Sequence, residues 1–311
     1  MKGPRKGLFL LEQIMSYVIE GFKDSIITVP SADGPIDIAC QTAGSGPALL
    51  LLHGFPQTKA IWRHIAPELA KRFSVVVTDL RGYGASSKPV GAPDHSTYSK
   101  RAMAADQHAV MQSLGHNKFS VLGHDRGGRV SHRLAIDFPE SVERLMVLDI
   151  SPTLTMYENT SMEFAKGYWH WFFLIQPHPI PETLIGANPE FWLRNHMGRH
   201  AGTGIFDAQS WAEYLAGASN PESMHAMCED YRAAATIDLI HDRADRDAGK
   251  MLAMPLRVLW GEHGLVAKCF SPIEDWKRVA KTVSGKSVPS GHYIPEELPQ
   301  ELLAETELFF I

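Results

Sequence analysis

The sequence predicts an α/β fold, a mostly parallel sheet with an inserted helical lid. Three observations carry this. Apolar runs such as Ala48–Leu52 and "FSVVVTDL" read as strands covered on both faces, as parallel strands between helices are. Helical segments alternate with them. The alternation stops after Pro152 and resumes at "PLRVLWGE" (255–262), and a compact domain seldom holds so long a stretch as bare loop.

In chain order, "SIITV" (25–29) and "IDIACQT" (36–42) read as an antiparallel pair around the turn "PSADGP". Residues 48–52 form the third strand, 59–71 a helix, and "FSVVVTDL" a strand ending at Asp79. The loop "RGYGASSKP", a helix over 99–114 and the strand "KFSVLGH" follow. That strand runs into Asp125, and a helix extends from near Gly127 to about Asp137, before the strand "RLMVLDI". The lid, 153–245, carries "GYWHWFFLIQP", "EFWLRNHM" and "SWAEYLAGA" without a clear strand. A helix at 272–280, a strand at 283–288, the segment "PSGHYIPEELP" and a last helix complete the chain. The organisation is an N-terminal extension (1–21), a core (22–152 and 246–311) and a lid domain (153–245).

Composition narrows the function. The 311 residues are 44% hydrophobic and 21% charged, ordinary for a soluble globular chain. A net charge of −5 argues against a nucleic-acid partner. Cys40, Cys228 and Cys269 are far apart and in no CxxC pattern, which fits a reducing cytoplasm and neither a disulfide framework nor a zinc site. The start, "MKGPRKGLFLLEQIMSYVIEGF", is broken by Glu12 and Gln13; it makes a poor signal peptide and is too short for a membrane span, so a short amphipathic helix or loose extension is expected.

The stretch "GHDRGGRV" (123–130) has the form of a nucleophile elbow with Asp125 where a serine is usual. A strand-to-helix turn there lifts one side chain above the sheet, and the helix N-terminus favours an ionised carboxylate. A carboxylate is a poor nucleophile for a carbonyl, because the adduct resembles an anhydride. At saturated carbon it can displace a leaving group and become an ester. Water must then cut that ester, which calls for a base, an acid to orient the base, and an oxyanion hole. His292 in "SGHYIP" is the candidate base. The loop after the post-lid strand, "GEHGLV", offers only Glu262 as acid, whereas Asp149 ends the strand "VLDI"; strand-end placement favours Asp149. The backbone N–H groups of Phe55 in "HGFP" and of Arg126 are the candidate oxyanion hole. Arg126 and Arg129 stand one and four positions past the nucleophile, and guanidinium groups suit a small carboxylate. His53, His124 and Arg81 read as structural residues.

"HGFPQT", "DLRGYGASSKP", "GHDRGGRVSHRLAIDFP", "VLDISPT", "YWHWFFLIQPHPIPETLIG" and "DYRAAATID" together resemble the haloacetate dehalogenases, fluoroacetate dehalogenase among them, of the α/β-hydrolase superfamily. The resemblance runs from about residue 22 to about 310. It implies that Asp125 displaces halide from a haloacetate and that His292, oriented by Asp149, activates water to release glycolate. It implies further that Arg126 and Arg129 hold the substrate carboxylate, that His170, Trp171 and Tyr231 cradle the halide, that no metal or organic cofactor is used, and that the protein is a homodimer.

Two rivals use the same elbow. An epoxide hydrolase would want two lid tyrosines and an apolar residue, often Trp, at position 126, and a haloalkane dehalogenase also prefers Trp there; neither needs two arginines. A non-enzymatic ligand-binding member of the fold has no need of a complete triad.

Overall fold

The computed structural model describes residues 17–32, 34–198 and 202–311. Eight strands form one sheet: β1 (Lys23–Val29), β2 (Ile36–Ala43), β3 (Ala48–Leu52), β4 (Ser74–Thr78), β5 (Phe119–His124), β6 (Val142–Leu148), β7 (Leu256–Gly261) and β8 (Val283–Val288). Their spatial order is β1-β2-β4-β3-β5-β6-β7-β8. β1 pairs antiparallel with β2, and β2 antiparallel with β4; every other pairing is parallel.

All five residues of β3 are buried. Their side chains alternate between the two sides of the sheet: Leu50 and Leu52 join one hydrophobic cluster, Leu49 and Leu51 the other. In β4, Val76 divides from Val75 and Val77 in the same way. Trp62, Leu69, Leu302 and Phe310 cover one face. Met103, Val110, Val130 and Leu134 cover the other, in a cluster continuous with Phe164, Trp171 and Tyr231 of the lid. The lid is therefore seated on the core by apolar contact.

Among the described residues from 153 to 245 there are helices and no strand, beginning with Thr153–Glu158 and ending with Ile237–Asp247, two residues past the expected limit. Two local expectations are corrected. Residues 59–71 hold a short 3-10 turn, Lys59–Trp62, and a separate short helix, Ala66–Leu69, because Pro67 has no N–H for a continuous helix and suits only a first turn. The helix expected over 272–280 stops at Lys277, and Ala280 then bridges Leu252. A helix at Leu265–Cys269 was not foreseen.

The expected amphipathic or loose extension falls mostly on residues 1–16, outside the described residues. Tyr17 and Ile19 dock onto the rest of the protein. The Tyr17 N–H donates to Glu213 of the lid at 2.5 Å, and the Ile19 N–H donates to Gln41 of β2 at 3.0 Å. Ile19 is buried. Among the described residues no helix is long and apolar enough to cross a membrane. Cys40, Cys228 and Cys269 are free thiols, the first two buried.

Candidate active site

β5 ends at His124, and the helix Arg126–Asp137 begins at once. Asp125 makes the turn between them with φ 47° and ψ −114°, a conformation that a non-glycine residue holds only under constraint. The turn closes tightly over β3. A Cβ on Gly127 would come within 2.3 Å of the Leu52 carbonyl oxygen, so only glycine fits there.

Asp125 is buried, and its Oδ1 accepts the Phe55 N–H at 3.1 Å. Its Oδ2 lies 3.9 Å from His292 Nε2. Burial pushes the Asp125 carboxyl up, but the charges of His292, Arg129 and Arg126 prevail, and the net shift is downward. His292 Nδ1 is 2.6 Å from Asp149 Oδ2. Asp149 is buried, with φ 51°, and its Oδ1 accepts the Gly261 N–H at 3.0 Å. Glu262, the alternative acid, is exposed and lies 3.5 Å from His263.

The loop bearing His292 is tied at several points. The Glu297 carboxylate accepts the Gly291 N–H at 2.7 Å and the Tyr293 N–H at 2.9 Å. His124 Nε2 stands 2.9 Å from the His292 carbonyl oxygen. Only a protonated Nε2 can donate there, which leaves His124 Nδ1 unprotonated; that atom is buried without a partner. Burial, with the neighbouring His292 charge, pushes His124 down to about 3. His124 thus ties the loop bearing His292 to the end of β5. His53 does tie the backbone, its Nε2 accepting the Leu80 N–H at 3.0 Å, and Arg81 forms a buried pair with Asp106.

The two elbow arginines are bonded differently. Arg126 is fully buried and pairs with the lid carboxylate of Asp230 through Nε at 3.1 Å and Nη2 at 2.5 Å. Its Nη1 is buried without a partner. Arg129 touches neutral acceptors: the Ser151 carbonyl oxygen at 3.2 Å, Thr153 Oγ1 at 3.0 Å and Met156 Sδ at 3.2 Å. Among the described residues no carboxylate comes within 4.0 Å of its nitrogens, and its Nε is also unpartnered. Burial lowers the Arg129 pKa from its usual range, with Asp125 opposing.

The lid closes over these groups. Phe55 stacks on His170 at 6.2 Å between centroids and meets Tyr231 edge-on at 5.0 Å. Trp171 stands 6.3 Å from Tyr231 and under the Arg129 guanidinium at 4.7 Å. Its indole Nε1 is buried without a partner. Tyr231 lies under Arg126 at 4.2 Å; burial, reinforced by Asp125, raises its hydroxyl pKa well above the ordinary value. The sequence-nominated residues therefore gather around the buried Asp125 carboxylate and the aromatic rings packed on Phe55. Unpaired donors from Arg126, Arg129 and Trp171 are a natural setting for an anion.

Sequence reasoning passed over Asp230, although it immediately precedes Tyr231 in "DYRAAATID", and over His196, whose ring lies 4.5 Å from His170. One group with metal-ligand chemistry was found among the described residues: His178, Glu182 and His225, with ligand atoms within 4.8 Å of one another. Arg232 already reaches the two Glu182 oxygens, at 2.8 and 3.2 Å, so a cation would meet a fixed positive charge there.

Residues 47–297 match the α/β hydrolase fold family. The chain is 44% identical over 286 residues to a fluoroacetate dehalogenase of Burkholderia sp, covering 91% of this chain and 92% of that one. It is 33% identical over 274 residues to a soluble epoxide hydrolase of Corynebacterium sp. (strain C12), covering 86% and 92%. A solved structure from Nostoc sp PCC 7120, described as an α/β hydrolase, superposes with a TM-score of 0.89 at 50% identity, covering 93% of this chain and 97% of that one.

Proposed function

The chain belongs to the α/β-hydrolase family, among its haloacetate dehalogenases, and on that premise we propose that it hydrolyses haloacetates to glycolate and halide. The observation that carries this reading is Arg129, a buried guanidinium without a carboxylate partner among the described residues, set beside the buried carboxylate of Asp125. A site that holds both a nucleophilic carboxylate and an unanswered cation suits a substrate bearing its own carboxylate.

In the first step an Asp125 oxygen attacks the α-carbon in line with the leaving group. The carbon–halogen bond breaks, halide departs with the electron pair, and an ester to Asp125 remains. Arg129 and Arg126 Nη1 hold the substrate carboxylate. His170, Trp171 and Tyr231 donate to the departing halide, which matters most for fluoride, a reluctant leaving group. In the second step His292 Nε2 takes a proton from water. The hydroxide adds to the ester carbonyl carbon, and the Phe55 and Arg126 N–H groups stabilise the oxyanion. On collapse the His292 imidazolium returns its proton to the departing glycolate oxygen, and Asp125 regains its carboxylate by losing the remaining water proton to solvent. Asp149 steadies the imidazolium meanwhile.

All reacting groups in this scheme are side chains of the chain and water. The same reading includes a cytoplasmic setting, supported by three free thiols, and a homodimer, supported by the exposed apolar lid residues Ile180, Leu184 and Phe191.

The second reading is an epoxide hydrolase. Its specific support is that two lid tyrosines stand near the triad, Tyr168 with its ring 6.0 Å from that of His292 and Tyr231 close enough to Asp125 to feel its charge, together with the Corynebacterium relative. Against it, the Tyr168 hydroxyl lies 3.3 Å from His292 Nδ1, on the Asp149 side of the ring. The deciding experiment incubates the purified enzyme with chloroacetate, fluoroacetate and styrene oxide. Halide release, read with an ion-selective electrode, is expected from a haloacetate. Diol from styrene oxide with no halide from either acid would overturn the proposal.

A further inference from the structure

The lid inserts one acidic side chain beside the elbow. Asp230 lies on the lid helix Pro221–Ala235 and is fully buried. Its carboxylate accepts Arg126 Nε at 3.1 Å, Arg126 Nη2 at 2.5 Å and the Tyr83 hydroxyl at 2.7 Å, and it pairs with Lys100. Its main-chain carbonyl oxygen accepts Arg126 Nη2 as well, at 2.8 Å. Lys100 is shared with a second lid carboxylate, Asp238, whose Oδ1 accepts the Lys100 N–H at 2.9 Å and whose Oδ2 is 3.7 Å from Nζ.

A guanidinium is a rigid plane, so engaging the Nε–Nη2 edge fixes the direction of everything else on it. Here the remaining edge is Nη1, buried and unpartnered, on a residue directly after Asp125. Resting on the haloacetate reading of this site, we infer that Asp230 is a positioning residue: the lid carboxylate locks Arg126 so that Nη1 alone meets the substrate carboxylate.

Asp230 also answers the charge of Arg126. The unanswered attraction for substrate then comes from Arg129, and Arg126 contributes direction. Burial would push the Asp230 carboxyl up, but Arg126 and Lys100 overcome it and hold Asp230 well below the usual carboxylate range. Asp230 belongs to the lid, whereas Arg126, Tyr83 and Lys100 belong to the core. The carboxylate pocket is therefore complete only when the lid is docked.

The test uses acetate, the substrate without its leaving group, titrated by quenching of tryptophan fluorescence. In Asp230→Asn, loss of one oriented charge-assisted bond should weaken acetate binding by about tenfold or more. KM for chloroacetate should rise by the same factor while kcat stays within about threefold, since removing uniform binding leaves kcat in place. In an Arg126→Met background the Asp230→Asn change should have no further effect on acetate, because Asp230 acts through Arg126. Tyr83→Phe covers the case in which Asp230→Asn does not fold; losing one donor to Asp230 should weaken acetate by roughly twofold to fivefold. Unchanged or tighter acetate binding in a folded Asp230→Asn variant, an equal loss in the Arg126→Met background, or a wild type that does not bind acetate would overturn the inference. A wild type that binds acetate yet frees no halide would overturn the reaction instead, and the acetate measurements would still decide the role of Asp230.

Discussion

Asp149 reaches His292 from the end of β6, with its Oδ2 2.6 Å from Nδ1, although β7 lies between β6 and the strand that precedes His292. The end of β7 makes room for it. The Gly261 N–H binds the other carboxylate oxygen at 3.0 Å, and a Cβ on Gly264 would stand 3.3 Å from that same oxygen. Glu262, on the loop between these glycines, turns to solvent instead.

This pairing gives a first prediction. Asp149→Asn should leave the alkylation of Asp125 in place and slow the water step by up to roughly 10⁴-fold, the loss known for replacing an acid that orients a histidine. The ester on Asp125 would then accumulate, as it should in His292→Asn, and intact-protein mass spectrometry after exposure to chloroacetate would register the carboxymethyl adduct. Glu262→Gln should turn over normally. A Glu262→Gln enzyme that stalls with adduct, beside an active Asp149→Asn, would reverse the assignment of the acid.

The elbow arginines should separate in steady-state kinetics. Arg129 lacks a carboxylate partner among the described residues, whereas Arg126 is neutralised by Asp230. Arg129→Met should raise KM for chloroacetate by about 10–100-fold, the worth of one or more charge-assisted hydrogen bonds. It should cost less stability than losing Arg126, because it breaks no direct ion pair, although Asp125 loses one of the charges that hold it ionised. Arg126→Met takes one of its two cations from the buried Asp230, and breaking such a buried pair costs about 3–5 kcal/mol, so a lowered melting temperature should accompany its kinetic loss. Equal thermal shifts in the two variants would refute the distinction.

His124 gives a pH dependence of stability. Its folded pKa is pushed down to about 3 by burial, below the ordinary value of 6.5. Below about pH 6.5 the unfolded chain binds a proton that the folded chain refuses, so stability falls as pH is lowered towards 3, by up to about 1.4 kcal/mol per pH unit from this group. Asp238, raised to about 6 by burial, works in the opposite direction between roughly pH 4 and 6. Comparison of His124→Asn with wild type isolates the histidine. Urea midpoints at pH 7.5 and 5 should differ less in the variant, and an identical difference would remove His124 from the account.

The strands buried on both faces, β3 to β6, were legible because continuous apolar runs admit few other readings. Their observed limits agree with the expected ones to within a residue or two. The helix expected at 59–71 was not legible, because Pro67 acts on one turn while the apolar pattern runs through it. At the site, the elbow announced itself by glycine spacing, and Asp149 by its place at a strand end. Asp230 carried no such signal: an acid on a helix usually faces solvent, and only burial against Arg126 marks this one.

The sequence by itself determined the sheet, the carboxylate at the elbow and the supply of histidine, acid and arginines, since each follows from local periodicity or spacing. The tertiary structure decided how those groups are used. Whether a guanidinium is spent on a protein carboxylate or left for a ligand depends on charges from helices more than a hundred residues away, brought within hydrogen-bond reach only when the lid packs on the core.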